Sequence, residues 1–519
     1  MNSHTPRLTA YRPVFTLLLS IVAALCTIVL LFVLLGPGAA QAQSNILYVD
    51  ASAGGDGDGS SWADAYPTLQ DALSNAISGD EIWVAAGVYY PDEGAGQTNA
   101  DRASTFTLQN GVAIYGGFDG TETQREERDW ETNITVLSGD IDHETSPDAA
   151  DADGIVYDAE DISGNNAYHV VTSMDTDSSA VLDGFVITAG AADGVFPDDG
   201  GGGLVNLQGS ATLANLVFSG NYAWSAGGGI ANDAGALTLN NVHFSGNVAG
   251  LDGGGMFNRG TGGSSVAGSL TEAPTLAQET GAPTLIDVTF GENSAETGGG
   301  MVNYLISPTL TSVTFFGNAA EFLGGGIYNV ESNPTLNDVI FDGNWAGEEG
   351  GGMVNDFSSP VLQDVLFFEN ESDQLGGGIS NYYITESSIP ESSLESNERS
   401  ARGADRWANG PEQNPSLEGA EAAQALPPPT MPELTHVTFI SNFAEVGGGM
   451  YSLASSPVLS DVIFVNNFAF VGGGMAGEGG ESGFLLFEES EVHASDAASS
   501  STPSLTNVTF MSNTAEIGG

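Results

Sequence analysis

The hydrophobic pattern changes character twice along the chain. Val14 to Leu35 is almost unbroken apolar sequence, preceded by Arg7 and Arg12 and closed by Gly36-Pro37-Gly38. That order predicts an export signal over residues 1–42, with Ala40-Gln41-Ala42 as the A-x-A cleavage site. The apolar stretch exceeds an ordinary signal core, so an uncleaved membrane anchor is the alternative. Residues 43–190 then mix short periods. Ile46-Leu47-Tyr48-Val49 reads as strand, and Glu81 to Tyr90 reads as strand again. Between them Pro67 to Ile77 predicts a short amphipathic helix, with Leu69, Ala72, Leu73, Ala76 and Ile77 on the apolar side. A helix followed by strand suits a cap over the open end of a sheet stack.

From residue 191 to residue 519 one unit recurs. Its anchors are Phe218, Phe244, Phe290, Phe315, Phe341, Phe367, Phe439, Phe464 and Phe510, and Asn follows each by three residues, from Asn221 to Asn513. A Gly run begins eight or nine residues after each Phe, and in most coils a second Asn comes just beyond the run, as at Asn232, Asn258, Asn303, Asn329, Asn355 and Asn381. The unit is P-x-L-x-[DN]-V-x-F-x-x-N-x-A-x-x-G-G-G-[IM]-x-N. Val and Phe two apart share one strand face. Pro-x-Leu begins a separate short strand, and the [DN] between Leu and Val marks a bend. One unit cannot bury its own Leu, Val, Phe and Ile or Met, whereas stacked copies bury them together. The expected fold is therefore all-β, a right-handed parallel β-helix of 25–26-residue coils with stacked Phe inside and Asn ladders at the turns. Nine such coils make a rod on the order of 40 Å long. Val181 to Thr188 (VLDGFVIT) reads as a divergent first coil.

Insertions at 260–282, 385–430 and 476–502 interrupt the register, each between a Gly-run strand and the next Pro-x-Leu strand (Pro283, Pro432, Pro503). All three should leave the rod along one edge. Their Ser, Ala, Glu, Gly and Pro content and lack of period predict mobile segments. Every Arg beyond residue 218 lies at or within them (Arg259, Arg399, Arg402, Arg406). The sequence stops at Gly518-Gly519 inside a repeat, which raises the expectation of a following cap or anchor.

Charge narrows the function. The net charge is −58 with no Lys, so a nucleic-acid surface is excluded. Divalent cations would relieve the self-repulsion of so acidic a chain. The 71 Gly lack the every-third period of collagen, and the single Cys26 lies inside the apolar leader, so no disulfide is expected. The Gly runs neither open helices nor precede Lys, so they are not phosphate loops.

One column carries candidate chemistry. The [DN] position reads Asn215, Asn241, Asp287, Ser312, Asp338, Asp364, His436, Asp461 and Asn507. Stacking would set Asp338, Asp364, His436 and Asp461 in a row at about 5 Å intervals. Such a row could bind calcium or supply the carboxylate pair of a retaining glycosidase. It is equally the preferred chemistry of a bend. Asp56 and Asp58, in Asp-Gly-Asp-Gly-Ser, alternate oxygen ligands like a calcium loop without its closing Glu. Calcium is the one cofactor these residues suggest.

The F-x-x-N and G-G-[IM]-x-N elements resemble the polymorphic outer membrane protein repeat of chlamydial surface adhesins. The segment YVDASAGGDGDGSSWADAYPTLQDAL and the later AVLDGFVITAG are similar to bacterial right-handed β-helix repeat proteins of the pectin-lyase-like superfamily. The resemblance implies a surface or secreted location and an adhesive role. The C-terminal membrane barrel of the chlamydial proteins has no match here. The N-T-D, G-H-G and R-I-K segments of the superfamily's polygalacturonases are missing too, and the coils lack the basic residue a pectate lyase needs. The leading expectation is thus an exported structural or adhesive protein of the cell surface or medium, without catalysis. Its partner would be carbohydrate or another protein, and membrane contact would run only through the N-terminal segment or a C-terminal anchor. The alternative is a calcium-dependent polysaccharide-binding protein, or a polysaccharide lyase or hydrolase.

Overall fold

The computed structural model describes residues 45–143, 147–261, 281–382, 431–478, 484–488, 491–494 and 503–517. Residues 1–42, expected to be an export signal, and most of the three insertions lie outside the described residues. From Ile46 on, the chain coils through three sheets, of 18, 13 and 10 strands as described. Strands pair in parallel with the coil before and the coil after, one coil apart in sequence. With the handedness that parallel crossovers adopt, this is a right-handed parallel β-helix.

One coil shows how the repeat builds it. Thr309–Phe316 lies in the first sheet, Ala319–Leu323 in the third and Ile327–Val330 in the second, before the next coil opens at Thr335. Four residues turn the chain by adopting left-handed backbone: Ser312 (φ 54°), Gly317 (59°), Gly324 (67°) and Glu331 (47°). The first of these explains the L-x-[DN]-V-x-F spacing. Leu310 and Val313 are three apart and could not share a face of a regular strand. The left-handed Ser312 resets the alternation, so Leu310, Val313 and Phe315 all point inward and are buried. All nine residues of this column have φ between 50° and 57°. Asn and Asp tolerate that region best among residues with a side chain, which is why the column reads as it does. Through Phe368 the pairing runs across the bend, giving single eight-residue strands rather than separate short ones. Only the last three coils divide there, as at Glu433–Thr435 and Thr438–Ile440.

The interior is one continuous stack. Phe rings from Phe218 to Phe510 lie parallel at 4.6–5.0 Å between centroids. Beside them runs the first Asn ladder, whose amides are doubly bonded. Asn344 Nδ2 donates to Asn370 Oδ1 (2.9 Å) and to the Phe315 carbonyl (2.9 Å). Its Oδ1 accepts from the Asn318 backbone (3.1 Å) and the Asn318 side chain (2.9 Å). The second ladder runs from Asn206 to Asn381 and passes to Ser452. The Gly run makes the close approach possible: a Cβ on Gly326 would meet the Gly352 carbonyl at 2.5 Å and the Phe341 ring at 2.8 Å.

At the N-terminal end, helix α1 (Leu69–Asn75) starts after Thr68, whose hydroxyl accepts from the Asp71 N–H. It buries Leu69, Ala72 and Leu73 against Val49 and Ile82, so it joins the main core. It is shorter than the apolar period suggests, and Ile77 is exposed. Val181–Thr188 forms the coil that pairs with Thr212–Ser219. The third insertion is not structureless, contrary to its composition. Phe484–Glu488 adds to the second sheet antiparallel to Met475–Glu478, and Glu491–Ala494 adds antiparallel to Phe484–Glu488.

Candidate functional site

The bend column is brought together as a line of side chains on the outer face of the first sheet. The insertion before His436 does not displace it, because Gln363 pairs with Thr435 and Leu366 with Thr438 across 72 residues. His436 stands between two carboxylates, its Nδ1 3.4 Å from Asp364 Oδ1 and its Nε2 3.8 Å from Asp461 Oδ2. These three side chains are about half exposed, at 57, 53 and 43%. Asp338 accepts from the Ser312 hydroxyl at 2.9 Å, and Asn507 donates to Asp461.

Sequence reasoning placed Asn215 and Asn241 at the column's other end but missed the Asp183 and Arg128 that extend it. Asn241 donates to Asn215 (2.8 Å) and Asn215 donates to Asp183 (2.8 Å). Asp183 also pairs with Arg128 at 2.7 Å. Arg128 comes from a distant loop, so no local pattern marks it, and it gives the line a cationic start. Chemically the column is a string of exposed donors and acceptors that satisfy one another. Among the described residues no three His, Cys, Asp or Glu side chains converge as metal ligands. Asp56 and Asp58 lie apart on an exposed turn. The Ser60 hydroxyl, and then the Ser60 N–H donating to Asp58 Oδ1 at 3.0 Å, hold the Asp58 carboxyl below the usual range, and the Asp56 N–H donates to Asp64.

Two buried acidic groups were not anticipated either. Asp140 and Asp148 sit where the N-terminal segment crosses the first coils. The Asp148 N–H donates to Asp140 (3.0 Å), while Asn166 Nδ2 (2.7 Å) and the Ser163 N–H (2.6 Å) donate to Asp148. Burial pushes the Asp148 carboxyl up to about 6 and raises Asp140 as well, against the pull of these hydrogen bonds. On the outer face of the second sheet, burial pushes Asp356 up to about 7, with the Glu331 charge adding to it and a hydrogen bond to Tyr328 opposing it. Isolated Asp residues carry no sequence signal of such burial. A shallow depression of about 500 Å³ is lined by Asp119, Glu122, Glu127 and Asp129. Glu122 and Glu127 are already engaged there, accepting from the backbone N–H groups of Asp119, Gly120, Thr121, Thr123 and Gln124.

No family model matches the chain. No curated protein matches it either. Among solved structures, a pectate lyase is 11% identical, with 81% of this chain and 78% of that chain covered and a TM-score of 0.34. A rhamnogalacturonan lyase is 9% identical, with coverage of 90% and 87% and a TM-score of 0.24. At such distances neither bears on activity, and the assignment of the fold rests on the strand pairing itself.

Proposed function

We propose that this chain is an exported, extracellular β-helix rod that acts as a display and adhesion scaffold, its coils carrying structure rather than catalysis. One observation carries the reading. The chain leaves the coils three times, beyond Arg259, Tyr382 and Glu478, and rejoins them at Thr284, Glu433 and Ser504. Each departure is from the second sheet and each return is to the first, so all three use the same corner. The flanking coils pair as though nothing intervened: Asn258 bonds Asn303 at 3.0 Å and Phe367 stacks on Phe439 at 4.9 Å. A scaffold that tolerates inserts of different length at one edge suits the presentation of variable segments. The apolar leader supports export, and the resemblance of the coils to polymorphic outer membrane protein repeats supports a surface role.

The test replaces residues 385–430 by a short Gly-Ser linker. Beads coated with either chain are then assayed for retention on matrix proteins and on uronic-acid polysaccharides. Unchanged melting with lost retention is the expected result. Cleavage of a polysaccharide, abolished by Asp338→Ala and Asp364→Ala, would replace this reading with the enzymatic one.

A further inference from the structure

The first and third sheets meet at a second corner, away from the insertions, and the outward columns beside it change along the rod. In the first coils the chain covers this face itself. The Ser219 hydroxyl donates to the Val156 carbonyl (2.8 Å), Thr188 bonds the Val156 backbone in both directions (3.0 Å), and the Ala159 N–H reaches the Gly246 carbonyl (3.3 Å). Ile155 packs there with Val136 and Val186. The covering segment runs along the rod and ends at the coil of Gly246.

Beyond it, among the described residues, nothing covers the equivalent columns, and they become more apolar. Phe316, Ile340, Ile463 and Met511 are 37–45% exposed on the first sheet. Around the corner on the third sheet, Trp345, Phe443, Phe468 and Phe470 are 39–41% exposed, with Phe443 stacked on Phe468. Eight of the fifteen large exposed apolar side chains among the described residues thus share one corner, a concentration that marks an interaction surface. Its margin is acidic. Glu321, Asp342, Glu371, Asp373 and Glu445 are exposed among these residues, and residues 281–382 and 431–517 contain no Lys or Arg.

We propose that this corner docks an extended polypeptide segment of a partner that alternates apolar with Lys or Arg side chains. The apolar columns call for hydrophobic side chains, the acidic margin calls for cations, and the chain's own segment at Val156 to Ala159 supplies the docking line. A second copy of this chain is disfavoured, because it would bring another −58 against the same acidic margin.

The probe is a labelled (Leu-Lys)4 peptide, with (Ser-Lys)4 and (Leu-Glu)4 as controls, titrated into the full chain at two salt concentrations. (Leu-Lys)4 should bind at least about tenfold more tightly than either control, and added salt should weaken it. Phe316→Ser with Ile340→Ser, or Phe443→Ser with Phe468→Ser, should lower its affinity about tenfold while the chain still melts in one cooperative transition, at a somewhat lower temperature. Val195→Ser with Met174→Ser, more exposed still but off the corner, should change nothing. Equal binding of (Ser-Lys)4, or wild-type affinity in both corner variants, overturns the proposal. So does self-association of the chain that the corner variants abolish, which would assign the surface to a second copy.

Discussion

Replacing Asn344 with Ala isolates the contribution of the first Asn ladder. Asn344 is fully buried, and the substitution leaves three groups short of a partner. The Asn318 backbone N–H and one Asn318 Nδ2 hydrogen lose their acceptor, and the Phe315 carbonyl loses a donor. Asn370 keeps one bond, from the residue 344 backbone N–H at 3.1 Å. At about 1–3 kcal/mol for each stranded buried group, and some recovery by relaxation, the variant should lose about 3–6 kcal/mol. Asn344→Asp is nearly isosteric yet should be no better at neutral pH. It turns a donor into an acceptor facing the Phe315 carbonyl and Asn370 Oδ1, and it buries a charge. The control is Asn337→Ala, half-exposed on the outer face of the same coil, with an expected change within about 0.5 kcal/mol. Guanidinium unfolding followed by circular dichroism compares the three variants. Equal midpoints for Asn344→Ala and Asn337→Ala would refute the claim that the ladder stabilises the stack.

The same stacking sets three further outcomes. Gly326→Ala places a methyl within 2.5 Å of the Gly352 carbonyl, so it should destabilise by at least about 2 kcal/mol, read as a lower unfolding midpoint. Burial, with the Glu331 charge beside it, raises the Asp356 carboxyl to about 7. Its stability cost is therefore absent below about pH 4, grows as pH rises from 4 to 7, and levels off above, reaching up to about 4 kcal/mol. Asp356→Asn should remove it, so variant and wild type should match at pH 4 while the variant is more stable at pH 8. A constant difference between them across that range would count against a buried, protonated Asp356. His436→Ala should change the unfolding midpoint by less than about 1 kcal/mol, since its carboxylate neighbours are half exposed and screened, and a larger loss would give that row a structural role not assigned here.

The coils were readable from sequence because the repeat overdetermines them. Nine Phe and nine Asn in register specify the same coil length and the same inward face, and a one-residue slip would expose every Phe. The [DN] column was readable as a bend, although its left-handed backbone, and the way this lets Leu310 and Val313 share a face, needed coordinates. The row of Asp364, His436 and Asp461 was likewise anticipated by stacking. Arg128, Asp140, Asp148 and the exposed corner were not. They depend on where an irregular segment crosses the coils, and nonrepeating residues such as Val156 and Asp148 carry no period from which that crossing can be inferred. The hairpin at Phe484 to Ala494 was hidden for a similar reason, since the composition of the insertion outweighed one short apolar run and one short alternation.

Distance along this molecule follows coil number and not residue number. Spin labels placed by cysteine substitution at Asn240 and, in turn, at Gln363, Thr435 and Ser460 test it by pulsed electron resonance. All four lie in one outward column. The stack predicts separations of about 19, 24 and 29 Å, rising by about 5 Å per coil, although Gln363 and Thr435 are 72 residues apart and Thr435 and Ser460 only 25. A broad distribution, or a Thr435 label displaced far beyond one coil spacing from Gln363, would contradict the stacked β-helix.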